Sequence, residues 1–163
     1  MRVFSLVIWL VVLNIQNAKS QSMCVTAKAF GTNEVRLNGV NIQISENDVV
    51  IATQKTEKGM VWLYNCLYGK VYKFTYIQKG YIKRHLVFDL RNIPESISKE
   101  KSSIDVDMTM YKKKELAACK SQLVVWESTP SGTLVFDAVK SEFAWTGEEG
   151  KAMKTALEQC KGR

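Results

Sequence analysis

VYKFTYIQKGYIKRHLVFDL, residues 71–90, reads as a strand, a turn at Lys79-Gly80 and a second strand. Successive side chains on a strand point to opposite faces. Tyr72, Phe74 and Tyr76 therefore share one face, and Lys73, Thr75 and Ile77 the other. In the second strand Ile82, Leu86, Phe88 and Leu90 share a face, with Arg84 as the exception in that series. Two neighbouring strands with an aromatic-rich face need a second layer to cover them, which predicts a β-sandwich.

Toward the N-terminus, residues 60–66 place Trp62, Tyr64 and Cys66 on one face and Val61 and Leu63 on the other. Apolar groups on both faces predict a central strand, or one covered by the C-terminal segment. Thr56-Glu57-Lys58-Gly59 is a turn. Before it, Val40, Ile42 and Ile44 and then residues 49–53 form a hairpin around Glu46-Asn47-Asp48. Residues 23–31 (MCVTAKAFG) make a first strand. Toward the C-terminus, residues 91–102 are polar and contain Pro94, as a surface connection would. Ile104, Val106, Met108 and Met110 then alternate with Asp105, Asp107 and Thr109, the pattern of a half-buried strand. Alternating carboxylates on the solvent face account for the two aspartates better than calcium, which needs several convergent oxygens.

Composition shifts at Lys112. Residues 115–120 are helix-compatible, residues 122–126 read as a strand, and Thr129-Pro130-Ser131-Gly132 is a turn. One or two short strands fit between Leu134 and Trp145. Thr146-Gly147-Glu148-Glu149 has the capping-box pattern and opens a helix to about Cys160. Its apolar stripe of Ala152, Met153, Ala156, Leu157 and Cys160 docks on something. The Lys112-Lys113-Lys114 run is a solvated strand end.

Residues 1–20 differ in kind from the rest. Met1-Arg2 gives a positive start, residues 3–13 are an apolar run of eleven, and Ala18-Lys19-Ser20 supplies small residues at cleavage spacing. This predicts a secretory signal peptide removed after Ser20, hence an extracytoplasmic (periplasmic or secreted) protein without a stable membrane anchor. Gln21-Ser22-Met23 before Cys24 lacks the lead of a lipid-attachment motif. Loss of Arg2 and Lys19 lowers the formal charge from +7 to +5, a moderate basic balance that acidic glycans or lipid headgroups would meet. Export argues against nucleic acid as a partner. Cys24, Cys66, Cys119 and Cys160 all survive cleavage. An even count in an exported chain makes disulfides expected, with three pairings open to two bridges. Cys119–Cys160 is favoured because both lie in the C-terminal segment, and the others are also compatible with buried thiols. The chain has no CxxC, so no zinc ribbon or thioredoxin-like site is indicated.

The order Val40-Asn41-Ile42, Thr56-Glu57-Lys58-Gly59, Tyr72-Lys73-Phe74, Gly80-Tyr81-Ile82-Lys83 and Asn92-Ile93-Pro94 resembles the carboxypeptidase regulatory-like domain. The first strand departs from that pattern, since VTAKAF has no Gly-x-Val element. The resemblance implies a mainly-β fold, a seven-stranded transthyretin-like (prealbumin-like) sandwich over residues 21–111. Residues 112–163 would be a small α/β extension ending in a helix. It is closest to versions in exported bacterial envelope proteins, where the domain is accessory and supports folding, presentation or adhesion. The implied role is a non-catalytic binding or scaffolding element of the cell envelope, with an envelope protein or a glycan as partner and no cofactor or metal.

Catalytic alternatives are thin. His85 is the only histidine and, by strand parity, sits opposite Leu86 and Phe88, on an expected solvated face. A small hydrolase would have to use it with Lys83 or Arg84. The hydroxyisourate hydrolases, which share a transthyretin-like fold, resemble one another through several histidines and a Tyr-Arg-Gly-Ser-type ending, whereas this chain ends Lys161-Gly162-Arg163. Of the aromatics Trp62, Tyr64, Tyr68, Tyr72, Tyr76 and Tyr81, core packing explains most. Tyr68 and Tyr81, beside turn glycines, are the surface candidates. With Lys79, Lys83 and Arg84 they define a basic-aromatic edge as the expected binding surface.

Overall fold

The computed structural model describes residues 21–99 and 102–161. The expected signal peptide and its cleavage point lie outside these residues. Among the described residues, nine strands form two sheets. The strands are β1 (Ser22–Gly31), β2 (Asn41–Glu46), β3 (Val49–Lys55), β4 (Met60–Leu67), β5 (Val71–Ile77), β6 (Arg84–Asp89), β7 (Ser102–Met110), β8 (Thr133–Asp137) and β9 (Glu142–Thr146). The small sheet has the order β4-β1-β7 and the large one β3-β2-β5-β6-β8-β9. The protein is thus a mainly-β sandwich with seven strands before residue 111 and a hairpin, β8–β9, added to one end of the large sheet.

Period-two patterning explains the layers. Met23, Val25, Ala27 and Ala29 of β1 are buried. On the parallel neighbour β7, Ala27 pairs with Val106, Ala29 with Met108 and Gly31 with Met110. On the solvent face Lys28 Nζ lies 2.6 Å from Asp105 and 3.9 Å from Asp107. Across the core, Tyr72, Phe74 and Tyr76 of β5 stand between β2 and β6, with Phe74 opposite Ile44 on one side and Leu86 on the other. The Phe74 ring lies 4.8 Å from Phe88 and 6.0 Å from Tyr64. The β2–β3 turn holds Asn47 at φ 49° and Asp48 at φ 63°, left-handed values that Asn and Asp tolerate and that match the twist of a tight hairpin.

Several expectations are corrected. β4 is an edge strand of the small sheet, not a central one. Its core side is filled by Cys66 and the partly buried Tyr64, while the side chains of Val61, Trp62 and Leu63 lie outside the described residues. Residues 122–126, expected as a strand, are instead helical, most of them within α2 (Leu123–Ser128). Tertiary packing overrides β-propensity here: Trp126 is buried while Val124 and Val125 point outward, a spacing a helical turn supplies. Short 3-10 turns over Lys113–Gln122, kinked at Leu116 and Cys119, precede it, so Lys113 and Lys114 open a helical turn instead of ending a strand. The polar connection after β6 contains a short helix, α1 (Glu95–Ser98). The last helix, α3 (Glu148–Lys161), begins one residue later than a cap at Thr146 requires. Thr146 belongs to β9, and its hydroxyl donates to the Thr133 carbonyl at 3.2 Å.

A second apolar cluster joins the C-terminal segment to the sandwich. Ile82, Tyr111, Leu116, Cys119, Trp126, Met153, Leu157 and Cys160 form it. Cys119 and Cys160 are disulfide-bonded across it, with Cα atoms 6.0 Å apart. Cys24 and Cys66 remain thiols. Cys24 is opposite Asn65 in register, and its neighbour Met23 is opposite Cys66, so the two sulfurs sit on opposite faces of the sheet and cannot bond. Burial pushes the Cys66 thiol up to about 12, which makes it inert. No helix among the described residues is long and apolar enough to cross a membrane.

Candidate functional site

The turn between β5 and β6 is built on Gly80, whose φ of 85° suits only a residue without Cβ. It does more than reverse the chain. The Ile82 amide donates to the Tyr111 carbonyl at 2.9 Å, and the Lys113 amide to the Gly80 carbonyl at 2.8 Å. Tyr81 and Lys112 form an isolated bridge. This corner is where the C-terminal segment is fastened to the sandwich.

Around it lies a hollow of about 430 Å³ lined in part by Gln78, Lys79, Tyr81, Lys83, Lys113 and Glu127. Lys79 and Lys83 are exposed and Tyr81 is half-buried. Glu127 accepts from the Lys83 amide at 3.1 Å and pairs with Lys113 Nζ at 2.9 Å. Burial alone would raise its carboxyl, but the bond from Lys113, the Lys83 amide and both charges hold it below the usual range. Three ammonium groups around one engaged carboxylate leave a basic concavity suited to an acidic group.

Two residues expected at this edge are elsewhere. Tyr68 lies in the β4–β5 turn, at the other end of β5, roughly 20 Å away at strand rise. Arg84 is 5% exposed. Strand parity explains it: Arg84 is opposite Tyr76 on the core face. Its Nε donates to Ser131 Oγ at 2.7 Å, its guanidinium donates to the Thr109 carbonyl at 3.3 Å, and it lies 5.5 Å from the Tyr111 ring centroid. Burial lowers its pKa, and Tyr111 partly offsets this. Tyr111 in turn donates to Glu158 of α3 at 3.0 Å. Arg84 is therefore a strut between the sheet and the C-terminal segment. His85, expected on a solvated face, is 4% exposed and its Nδ1 has no hydrogen-bond partner. Burial, then Lys73, Lys83 and Arg84, push it down to about 4.

A second concavity, of about 350 Å³, opens between the layers. It exists because the large sheet is twice as wide as the small one. β7 ends the small sheet, and beyond it β9 and the start of α3 leave a cleft. Trp145, Asp105, Asp107, Lys151 and Lys154 line it, over Leu86 and Val106. Trp145 shares its sheet face with buried Leu134, yet it is 46% exposed because nothing in the small sheet covers it. Its inner edge meets Phe88 at 5.7 Å between ring centroids. α3 closes one side at Gly150, where a Cβ would fall on the Ser131 carbonyl. A supported indole beside ammonium groups can stack on a flat apolar ring face while hydrogen-bonding its rim. Sequence reasoning missed Trp145. The available signal was an aromatic on the terminal strand directly before Thr146-Gly147.

Among the described residues, no group of three or more His, Cys, Asp or Glu is arranged to hold a metal ion. No family model matches the chain. No curated protein matches it either. Among solved structures, the Bacillus anthracis TIE protein is similar at 13% identity and a TM-score of 0.39, over 56% of this chain and 17% of that one. A C-terminal fragment of the pilus adhesin SpaC from Lactobacillus rhamnosus GG is similar at 12% identity and a TM-score of 0.40, over 57% of this chain and 46% of the fragment.

Proposed function

We propose that the chain is an exported, non-catalytic β-sandwich module of the cell envelope, of the carboxypeptidase regulatory-like (transthyretin-like) kind, and that it works by binding. The observation that carries the binding reading is the interlayer cleft at Trp145. Export is supported by the signal-like residues 1–20 and by the Cys119–Cys160 bond, which persists in oxidising compartments. A role without catalysis is supported by His85: it is buried, its neighbouring charges are cationic, and no group orients its Nδ1.

The chemistry of the cleft favours a saccharide of the envelope, with the pyranose face on the indole and hydroxyls toward Lys154. The test is a glycan array followed by titration of residues 21–163. Trp145→Ala is expected to weaken binding about fivefold to thirtyfold, since stacking of this kind is worth roughly 1–2 kcal/mol. Hits unaffected by Trp145→Ala, or an array without hits, would exclude the saccharide reading. A second reading rests on the basic hollow at Lys79, Lys83 and Lys113, which fits an acidic segment of an envelope protein. Reversing Lys79 and Lys83 to Glu would abolish capture of such a partner and leave glycan binding intact. Capture that survives the reversal would exclude this reading.

A further inference from the structure

We infer that β3 is a self-association edge, through which two copies of this chain join their large sheets into one continuous sheet. β3 is the last strand of the large sheet and pairs with β2 alone. Its outer row of N–H and C=O groups has no strand partner among the described residues. Such edges are usually short, charged or interrupted by proline. β3 carries a bulge and ends in Lys55, but its run Val49-Val50-Ile51-Ala52-Thr53-Gln54 contains no charge, proline or glycine and is rich in β-branched residues. Val49, Val50 and Ile51 are 66%, 51% and 44% exposed, so both faces of the strand are open at this end.

The occupant follows from the charges. The uncharged run is flanked by Asp48 before it and Lys55 after it. In an antiparallel pair of identical strands related by a two-fold axis, position 48 of one copy meets position 55 of the other twice. Opposite charges facing across strands are favourable. The two-fold axis is perpendicular to the sheet, so paired residues must lie on the same face. In an unbroken strand, positions 48 and 55 would lie on opposite faces. β3, however, carries a bulge: Ala52 is opposite Ile44 and Val50 opposite Ser45, leaving Ile51 as the extra residue. That shift puts Val50, Thr53 and Lys55 on one face and Val49, Ala52 and Gln54 on the other. The register pairing Val50 with Thr53 and Val49 with Gln54 is then face-consistent, and it sets Asp48 against Lys55. Asp48 is well exposed in the turn, 3.6 Å from Lys73, and Lys55 is exposed.

The test is the association state of residues 21–163 by sedimentation, for the wild type, Asp48→Lys and Lys55→Asp, each checked for its fold by circular dichroism. The wild type is expected to dimerise in a concentration-dependent way, and each substitution to weaken that dimer at least about tenfold by setting like charges opposite each other at both ends. Mixing the two substituted proteins restores the opposite-sign pairing at both ends and therefore restores the dimer, an outcome that misfolding of either variant could not produce. A wild type that stays monomeric at every attainable concentration overturns the inference. So does a dimer that both single substitutions leave intact, or a mixture that associates no better than its components.

Discussion

Acidification should weaken this fold in part through His85. The imidazole is 4% exposed, its Nδ1 has no partner, and Lys73, Lys83 and Arg84 are the charges that act on it. The fold accepts only the neutral form, so the group is pushed from its ordinary 6.5 down to about 4. In the unfolded chain it takes up a proton near 6.5. Between these values the unfolded state binds more protons, so stability is fully present above about pH 6.5 and is lost as pH falls toward 4. At about 1.4 kcal/mol per pH unit, the gap corresponds to roughly 3 kcal/mol, a large part of a typical domain's 5–15 kcal/mol. The assay is urea unfolding at pH 7 and pH 4 for the wild type and His85→Gln. Other carboxylates titrate in both proteins, so the difference between the two pH dependences isolates the imidazole. The wild type should lose roughly 3 kcal/mol more than the variant over this interval. Equal losses, or an imidazole that titrates near 6.5 by NMR in the folded protein, would refute the reasoning.

Removing the Cys119–Cys160 bond by double alanine substitution opens a loop of sequence separation 41 and should cost about 4 kcal/mol on the chain-entropy estimate, measured by chemical unfolding. Gly150→Ala should destabilise by about 2 kcal/mol or more because its Cβ would strike the Ser131 carbonyl. The same change in an ordinary helix gains up to about 1 kcal/mol, so the sign of the thermal shift alone decides the point. Phe74→Ala, at a site 1% exposed between the Phe88 and Tyr64 rings, should cost about 3–5 kcal/mol in the same assay.

The layers were legible in the sequence because strand parity is a local property. Tyr72, Phe74, Tyr76, Leu86 and Phe88 could be assigned to one face from their spacing alone, and all are buried. Parity also placed Arg84 on that face. Its burial was not legible, because the groups that make it tolerable, Thr109, Tyr111 and Ser131, lie 25 to 47 positions away. His85 misled for the complementary reason: polar residues on an outer face usually meet solvent, and what buries this one is tertiary. Val124 and Val125 spelled a strand by propensity, but packing around the disulfide-linked cluster holds the segment as a helix. Trp145 was overlooked because its exposure depends on the unequal widths of two sheets, a global quantity that no window of sequence contains.

The pairing of β1 with β7 has a consequence for how the molecule comes into being. Met23 is matched with Ser102 and Ala29 with Met108, each partner 79 positions downstream. The middle strand of the small sheet therefore cannot complete its ladder until nearly the whole sandwich has been synthesised. Non-local pairings of this kind slow folding, because the chain must close a long loop before any contact rewards it. During that interval the Met23–Ala29 strand, rich in apolar side chains, waits without one of its neighbours. The chain is most exposed to misassembly at that stage, and factors that shield β1 until β7 arrives should raise the yield of native protein more than those that act on the finished fold.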